Sequence, residues 1–436
     1  MLHSPHSPSL RVKNHRSHSL NFLAYRTFLE LAYLIKGGYP RFRFCFLRSL
    51  CSFGQTLSLS PAHTTGPTLL TCTLPEYITA MPATTLSHDT LAPTTKHLNG
   101  DTNGSSKSAL PPSTIPQKFL SHSSDLGVVA VGFSGGQCKD GVDAAPDALI
   151  NAGLLNQIDT ELGYNLFGDT AVRNYNEMRP SSDEPHRGMK NPRAVSAVTE
   201  ELAKKVYDQA KEGRMVLTLG GDHSIAIGTI AGSSKAIRER LGKEIAVIWV
   251  DAHADINTPE TSDSGNVHGM PVAFLTGLAK STEKGIFDWV ANEFPTRPAL
   301  SVTKLVYIGL RDVDRGEKQI LRENGIKAFS MHDIDKHGIG KVVELALAHI
   351  GTDTPIHLSF DVDALDPQWA PSTGTPVRGG LTLREGDYIA ECVHETGQLV
   401  AMDLVEVNPS LEVAGASETV RAGVSLVRCA LGDTLL

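Results

Sequence analysis

Three short stretches of the 436-residue chain carry acids and histidines at close spacing. They read GGDHS, with Asp222 and His223; DAHADIN, with Asp251, His253, Asp255 and Asn257; and DVDALDP, with Asp361, Asp363 and Asp366. In extended backbone, residues two apart point the same way. Asp251, His253 and Asp255 are therefore expected along one face, and Asp361 and Asp363 along another. A lone Asp or His in such a place is usually a helix cap or a turn; the co-occurrence of three such motifs is what points to chemistry. Burying so many carboxylates together is costly without counter-charge. Four carboxylates match two divalent cations when both histidines are neutral. Oxygen-rich ligands with some imidazole favour manganese-like hard ions over thiolate-loving metals, without excluding cobalt, nickel or zinc. Two ions about 3.5–4 Å apart lower the pKa of a bridging water from about 15.7 toward about 7 and orient it for attack. The chemistry expected is metal-assisted hydrolysis.

The elements that must position these residues are legible as an alternation. Short β-branched runs occur at 128–133, 215–219, 244–250, 304–310, 326–331, 355–360 and 399–407, with helical spacing at 192–212, 224–241, 341–350 and 383–396. The runs are apolar almost throughout, as in strands covered on both faces. The alternation predicts an α/β fold, three layers with a mostly parallel central sheet. Each of the three motifs follows a predicted strand, where open α/β sheets bind ligands. A terminal helix followed by a short tail is expected over 417–436.

Composition sets the frame. The formal net charge is −8, but residues 1–80 carry eight Lys/Arg against Glu30 and Glu76, so the remainder carries −14. That argues against nucleic acid as a partner of the body of the chain and is compatible with a cationic small-molecule substrate. Cys45, Cys51, Cys72, Cys138, Cys392 and Cys429 form no CxxC pair, which fits a reducing compartment better than a disulfide framework. No run reaches the ~18 apolar residues of a membrane span, and a soluble protein is expected. Three regions are delimited: a basic extension at 1–80, a Ser/Thr/Pro-rich linker at 81–124 read as disordered, and a catalytic domain at 125–436. The acid-poor stretch 1–60 fits a mitochondrial transit peptide, whereas a start at Met81 makes it a gene-model extension and the cytoplasm the expected compartment.

GGDHS, DAHADIN and SFDVDALDP, in this order, resemble the three signatures of the ureohydrolases, and in particular the arginases of fungal type. FSGGQCKDGVDAAPDALINAGL, SGNVHGMP, IGLRDVD, TGTPVRGGLTLREG and LVEVNP extend the likeness from about Gly127 to the C-terminus. The resemblance implies two Mn²⁺ per subunit. One is held by His223, Asp251, Asp255 and Asp361; the other by His253 and Asp363, with Asp251 and Asp361 as bridges. It implies that a metal-bridging hydroxide attacks the guanidinium carbon of L-arginine, giving L-ornithine and urea. Catalytic roles fall to Asp363, to His268 as proton shuttle, and to Glu406 as the carboxylate that holds the guanidinium. A place in arginine metabolism and the urea cycle, and a homotrimer or homohexamer, are further implications.

The metal motifs fix only the reaction class, because the family also takes agmatine and related guanidino compounds. By the same resemblance Asn257 and Ser264 match residues that contact the substrate α-carboxylate. Asp314 matches one near the α-amino group, and Thr375 belongs to the same rim. A site built for the carboxylate loses much when that group is missing, so arginine is favoured over agmatine. Departures from the family pattern are Arg315, Ala364 and Arg378, none at a ligand position. Two other readings stay open: a non-catalytic regulatory partner, which intact His268 and Glu406 disfavour, and a single-zinc deacetylase, which the full ligand set disfavours.

Overall fold

The computed structural model describes residues 115–169, 171–280 and 283–434; the readings of the basic extension and of most of the linker lie outside them. Among the described residues nine strands build the sheet: β1 (Asp125–Gly132), β2 (Asn165–Gly168), β3 (Arg173–Asn174), β4 (Met215–Leu219), β5 (Ala246–Val250), β6 (Leu305–Leu310), β7 (Lys327–Ser330), β8 (Ile356–Asp361) and β9 (Leu399–Val405). Their order is β2-β1-β4-β9-β8-β5-β6-β7, with β3 beside the end of β1, and every strand pair is parallel. The two short edge strands β2 and β3 were not anticipated. NLFG and RN have neither length nor alternation to mark them.

Alternate residues of the central strands enter two different cores. Leu217 and Leu219 of β4 and Ile248 of β5 face one; Val216, Val247 and Trp249 face the other. The first core is covered by α1 (Ala145–Asn151), α2 (Leu154–Thr160), α8 (Met331–His337), α9 (Ile339–Ile350), α10 (Leu383–Glu395) and α11 (Ala416–Ala430). The second is covered by α3 (Pro192–Ala210), α4 (Ala226–Leu241), α5 (Pro271–Thr276), α6 (Asp288–Glu293) and α7 (Arg315–Glu323). The layers are therefore helix, sheet, helix, as the doubly apolar strands require.

Residues 115–124 differ from the expectation of a disordered linker. Phe119 is buried, and Lys118 N and Ser121 N donate to the carbonyls of Gly397 and Gly213. A buried aromatic ring and two backbone hydrogen bonds give this end of the linker a place on the domain. No helix among the described residues is long and apolar enough to cross a membrane.

Candidate metal centre

Five neighbouring strands, in the order β4, β9, β8, β5, β6, deliver the candidate residues from their carboxyl ends. His223 opens a 3-10 turn (His223–Ile225) after β4, Glu406 follows β9, and Asp361 closes β8. Asp363 sits in the 3-10 turn Val362–Ala364, and Asp251 follows β5 directly.

The expectation that DAHAD lies on extended backbone is corrected. β5 stops at Val250, and Asp255 has φ +48°, in the left-handed region. The chain turns because its own carboxylates bind its own amides. Asp251 Oδ1 accepts from His253 N at 2.7 Å, Asp361 Oδ1 from Asp363 N at 2.8 Å, and Asp222 Oδ1 from Ser224 N at 3.0 Å. These Asx turns tie the backbone two residues on. Convergence therefore comes from three similar turns at the carboxyl ends of β4, β8 and β5, not from alternation along a strand.

Around His223 Nδ1 lie Asp361 Oδ2 at 3.1 Å, Asp251 Oδ2 at 3.2 Å and Asp255 Oδ2 at 3.3 Å. Around His253 Nδ1 lie Asp363 Oδ2 at 3.2 Å and Asp251 Oδ1 at 3.4 Å. His223, Asp251 and Asp361 form one group, and Asp251, His253 and Asp363 a second; within each, the potential ligand atoms lie within 4.8 Å of one another. Asp251 belongs to both and turns one oxygen to each.

The electrostatics show what such packing demands. Burial and the neighbouring charges of Asp363 and Asp251 hold Asp361 well above the usual carboxylate range, and burial with Asp251 pushes Asp255 up to about 6. Burial also raises Asp363. For the imidazoles burial acts the other way, but the carboxylates win, and His223 and His253 are both raised. The acids around each imidazole thus favour positive charge that offsets them. A cation among the same oxygens would do so with more charge and leave the imidazoles free to bind it through Nδ1. The donor set, mainly carboxylate with two imidazoles and no thiolate, fits hard divalent ions.

The ligands are themselves held. His223 Nε2 lies 2.9 Å from Ser359 Oγ, and its ring stacks on Trp249 at 4.1 Å between centroids and 13° between planes. Trp249 Nε1 donates to Asp251 Oδ2 at 2.9 Å. Thr375 Oγ1 donates to Asp363 Oδ2 at 2.9 Å. Arg311, at the end of β6, donates to the carbonyls of Asp363, Ala364 and Leu365, and so grips the turn that carries Asp363. Neither Ser359, Trp249 nor Arg311 was anticipated. Ser359 and Trp249 had a signal: each stands two residues before a ligand in a parallel strand, on the same face.

Glu406 is buried with φ +60°. Its Oε1 accepts from His223 N at 3.0 Å and lies 3.1 Å from His268 Nδ1, while Oε2 is buried without a partner. Burial alone would lower the His268 pKa, but the Glu406 carboxylate outweighs it and raises the imidazole to about 9. His268 N donates to Gly136 O, and Gly136 N donates to Asp222 Oδ2 at 2.9 Å. A Cβ on Gly136 would fall 2.3 Å from Asp222 Oδ1, so only glycine allows this approach. Asp222 is thus spent on fixing the 133–137 loop.

The remaining candidates lie farther out. Asn257 Nδ2 donates to Asp314 Oδ2 at 2.9 Å, joining the DAHADIN loop to the start of α7. Glu317, also unanticipated, reinforces that joint by accepting from Ile256 N and Asp314 N. Ser264 is exposed, and its Oγ accepts from Asn266 N within its own loop. The structure therefore joins Asn257 to Asp314, while Ser264 is bonded within its own loop.

The Arginase family profile matches residues 124–432. Over 327 residues the chain is 73% identical to an arginase of Neurospora crassa, covering 74% of this chain and 90% of that relative. It is 70% identical over 325 residues to an arginase of Emericella nidulans, covering 74% and 99%. The crystal structure of a cold-adapted arginase from the psychrophilic yeast Glaciozyma antarctica superimposes with a TM-score of 0.59 at 45% identity, covering 74% of this chain and all of that one.

Proposed function

The chain belongs to the arginase family, and on that premise we propose that this hydrolase converts L-arginine to L-ornithine and urea at a pair of Mn²⁺ ions. One observation carries the reading: Asp251 offers one oxygen to each of two ligand groups. A carboxylate shared in this way suits two cations and would be wasted on one. His223, Asp251, Asp255 and Asp361 would hold the first ion; His253, Asp363 and Asp251 the second, with Asp361 beside them. When bound, the ions supply positive charge and an acidified water, the nucleophile that guanidine hydrolysis needs at neutral pH.

The chain's own groups do the rest. Glu406 keeps Oε2 free while Oε1 is fixed by His223 N, so a buried acceptor oxygen is open to the N–H groups of a guanidinium. His268 rests against Glu406 with its pKa raised to about 9, and so carries a proton that the departing amine of ornithine requires. Asp363, tied to Thr375, is the second group positioned for proton transfer. Asn257, Ser264 and Asp314 would receive the amino-acid end. A homotrimer or homohexamer belongs to the same proposal.

The test is urea release from L-arginine and from agmatine after Mn²⁺ loading and after chelation. Mn²⁺-dependent urea from arginine, with little from agmatine, is the expected result. Urea from agmatine alone would keep the chemistry and discard the roles given to the rim.

A further inference from the structure

Glu406 Oε2 does not stand alone among buried groups with no partner. Gln137 Nε2 shares that condition, as does Thr373 Oγ1. Gln137 lies in the loop that Asp222 holds, and only 8% of it is exposed. Its Oε1 accepts from Lys139 N at 3.1 Å, which fixes which way the carboxamide faces. Gly374 connects the two orphaned groups. A Cβ on it would stand 3.4 Å from Gln137 Oε1, 3.4 Å from Glu406 Oε2 and 3.7 Å from Gln137 Nε2. The space between carboxamide and carboxylate thus exists because residue 374 has no side chain. It is also held in place: Lys139 Nζ donates to Gly374 O, and Thr373 pairs with Val407 beside Glu406.

Buried polar atoms without partners are uncommon and costly in folded proteins. Here a donor and an acceptor flank one gap and do not bond each other. A ligand that relieves both carries N–H groups toward Glu406 Oε2 and an acceptor toward Gln137 Nε2. The end of a guanidino compound carries donors alone, so it meets the first need: one N–H reaches Glu406 Oε2, and another reaches the second lone pair of Gln137 Oε1, 3.4 Å from the same point beside Gly374. Gln137 Nε2 is suited in turn to the oxygen of urea.

We propose that Gln137 is a specificity-determining residue which, across Gly374 from Glu406, holds the nitrogen-bearing end of the substrate. The inference rests on the guanidine-hydrolysis reading above. Its test compares the Mn²⁺-loaded full chain with Gln137→Met, which keeps length and removes both hydrogen-bonding atoms, and with Gln137→Asn. Met should raise KM for L-arginine about tenfold, with metal content and melting temperature unchanged. Asn, keeping the carboxamide, should recover part of the loss and guards against a Met variant that fails to fold. Binding of guanidinium ion, followed by ligand-detected NMR, needs no turnover and should weaken in parallel. Wild-type KM and guanidinium binding in Gln137→Met would overturn the proposal, as would a rise in KM that tracks metal loss. An absence of urea from the wild-type chain, with guanidinium binding still sensitive to residue 137, would instead count against the arginine reading.

Discussion

His223 and Asp251, on the floor of the site, expose nothing to solvent, whereas Ser264, at its rim, is exposed and bonds only within its own loop. The floor is built from the ends of packed strands. Its side chains are clamped by Asx turns, by the ring of Trp249 and by Ser359, so each has little freedom to lose when a ligand binds. The rim is built from loops, joined by hydrogen bonds such as that between Asn257 and Asp314. The difference separates two tasks. On the proposed function, the floor would govern whether hydrolysis occurs, and the rim which guanidino compound is taken.

Asp251→Ala puts this division to its most severe trial. Removing the carboxylate common to both ligand groups should abolish urea release, with metal analysis showing that binding at both positions has collapsed. A metal-loaded, active variant would end the assignment of the floor. Ser359→Ala tests the support rather than the ligand. Without its partner the His223 ring loses one restraint, and metal affinity should fall about 10–100-fold, measured by titration with a competing chelator. Asp314→Ala is expected to act least, and differently. KM for arginine should rise about tenfold while metal affinity stays at its wild-type value. If metal is lost instead, the rim and floor are not separate.

Legibility in the sequence follows the same division. The floor was readable because helix caps and turns alone rarely place so many acids and histidines directly after apolar strands, and because parallel strands bring their carboxyl ends together. Its geometry was not readable: whether Asp255 sits on extended backbone or on a left-handed turn depends on hydrogen bonds that Asp251 makes to its own loop. Asp222 shows the limit from the other side. It stands beside a ligand in GGDHS, yet its carboxylate is consumed by Gly136 and Ser224. Arg311 acts through the carbonyls of residues 363–365, more than fifty positions away, so no local spacing reveals it. The rim came from family likeness alone. Short elements such as β2, β3 and α7 were missed because too few residues carry the pattern.

The position of β9 has a consequence for how the chain reaches this state. β9 lies between β4 and β8, so the strand that joins the two halves of the sheet is the last to be made. Val216 pairs with Ala401, and Leu358 with Met402. On the ribosome, at about 5–20 residues per second, β4 and β8 wait with unpaired edges until residue 405 has emerged. Pairings this far apart in sequence are slow to form, and open edges invite the wrong partner. Synthesis of this domain is therefore exposed to aggregation until the strand that precedes α11 has emerged, and a truncation before Leu399 should yield insoluble chain rather than a smaller folded one.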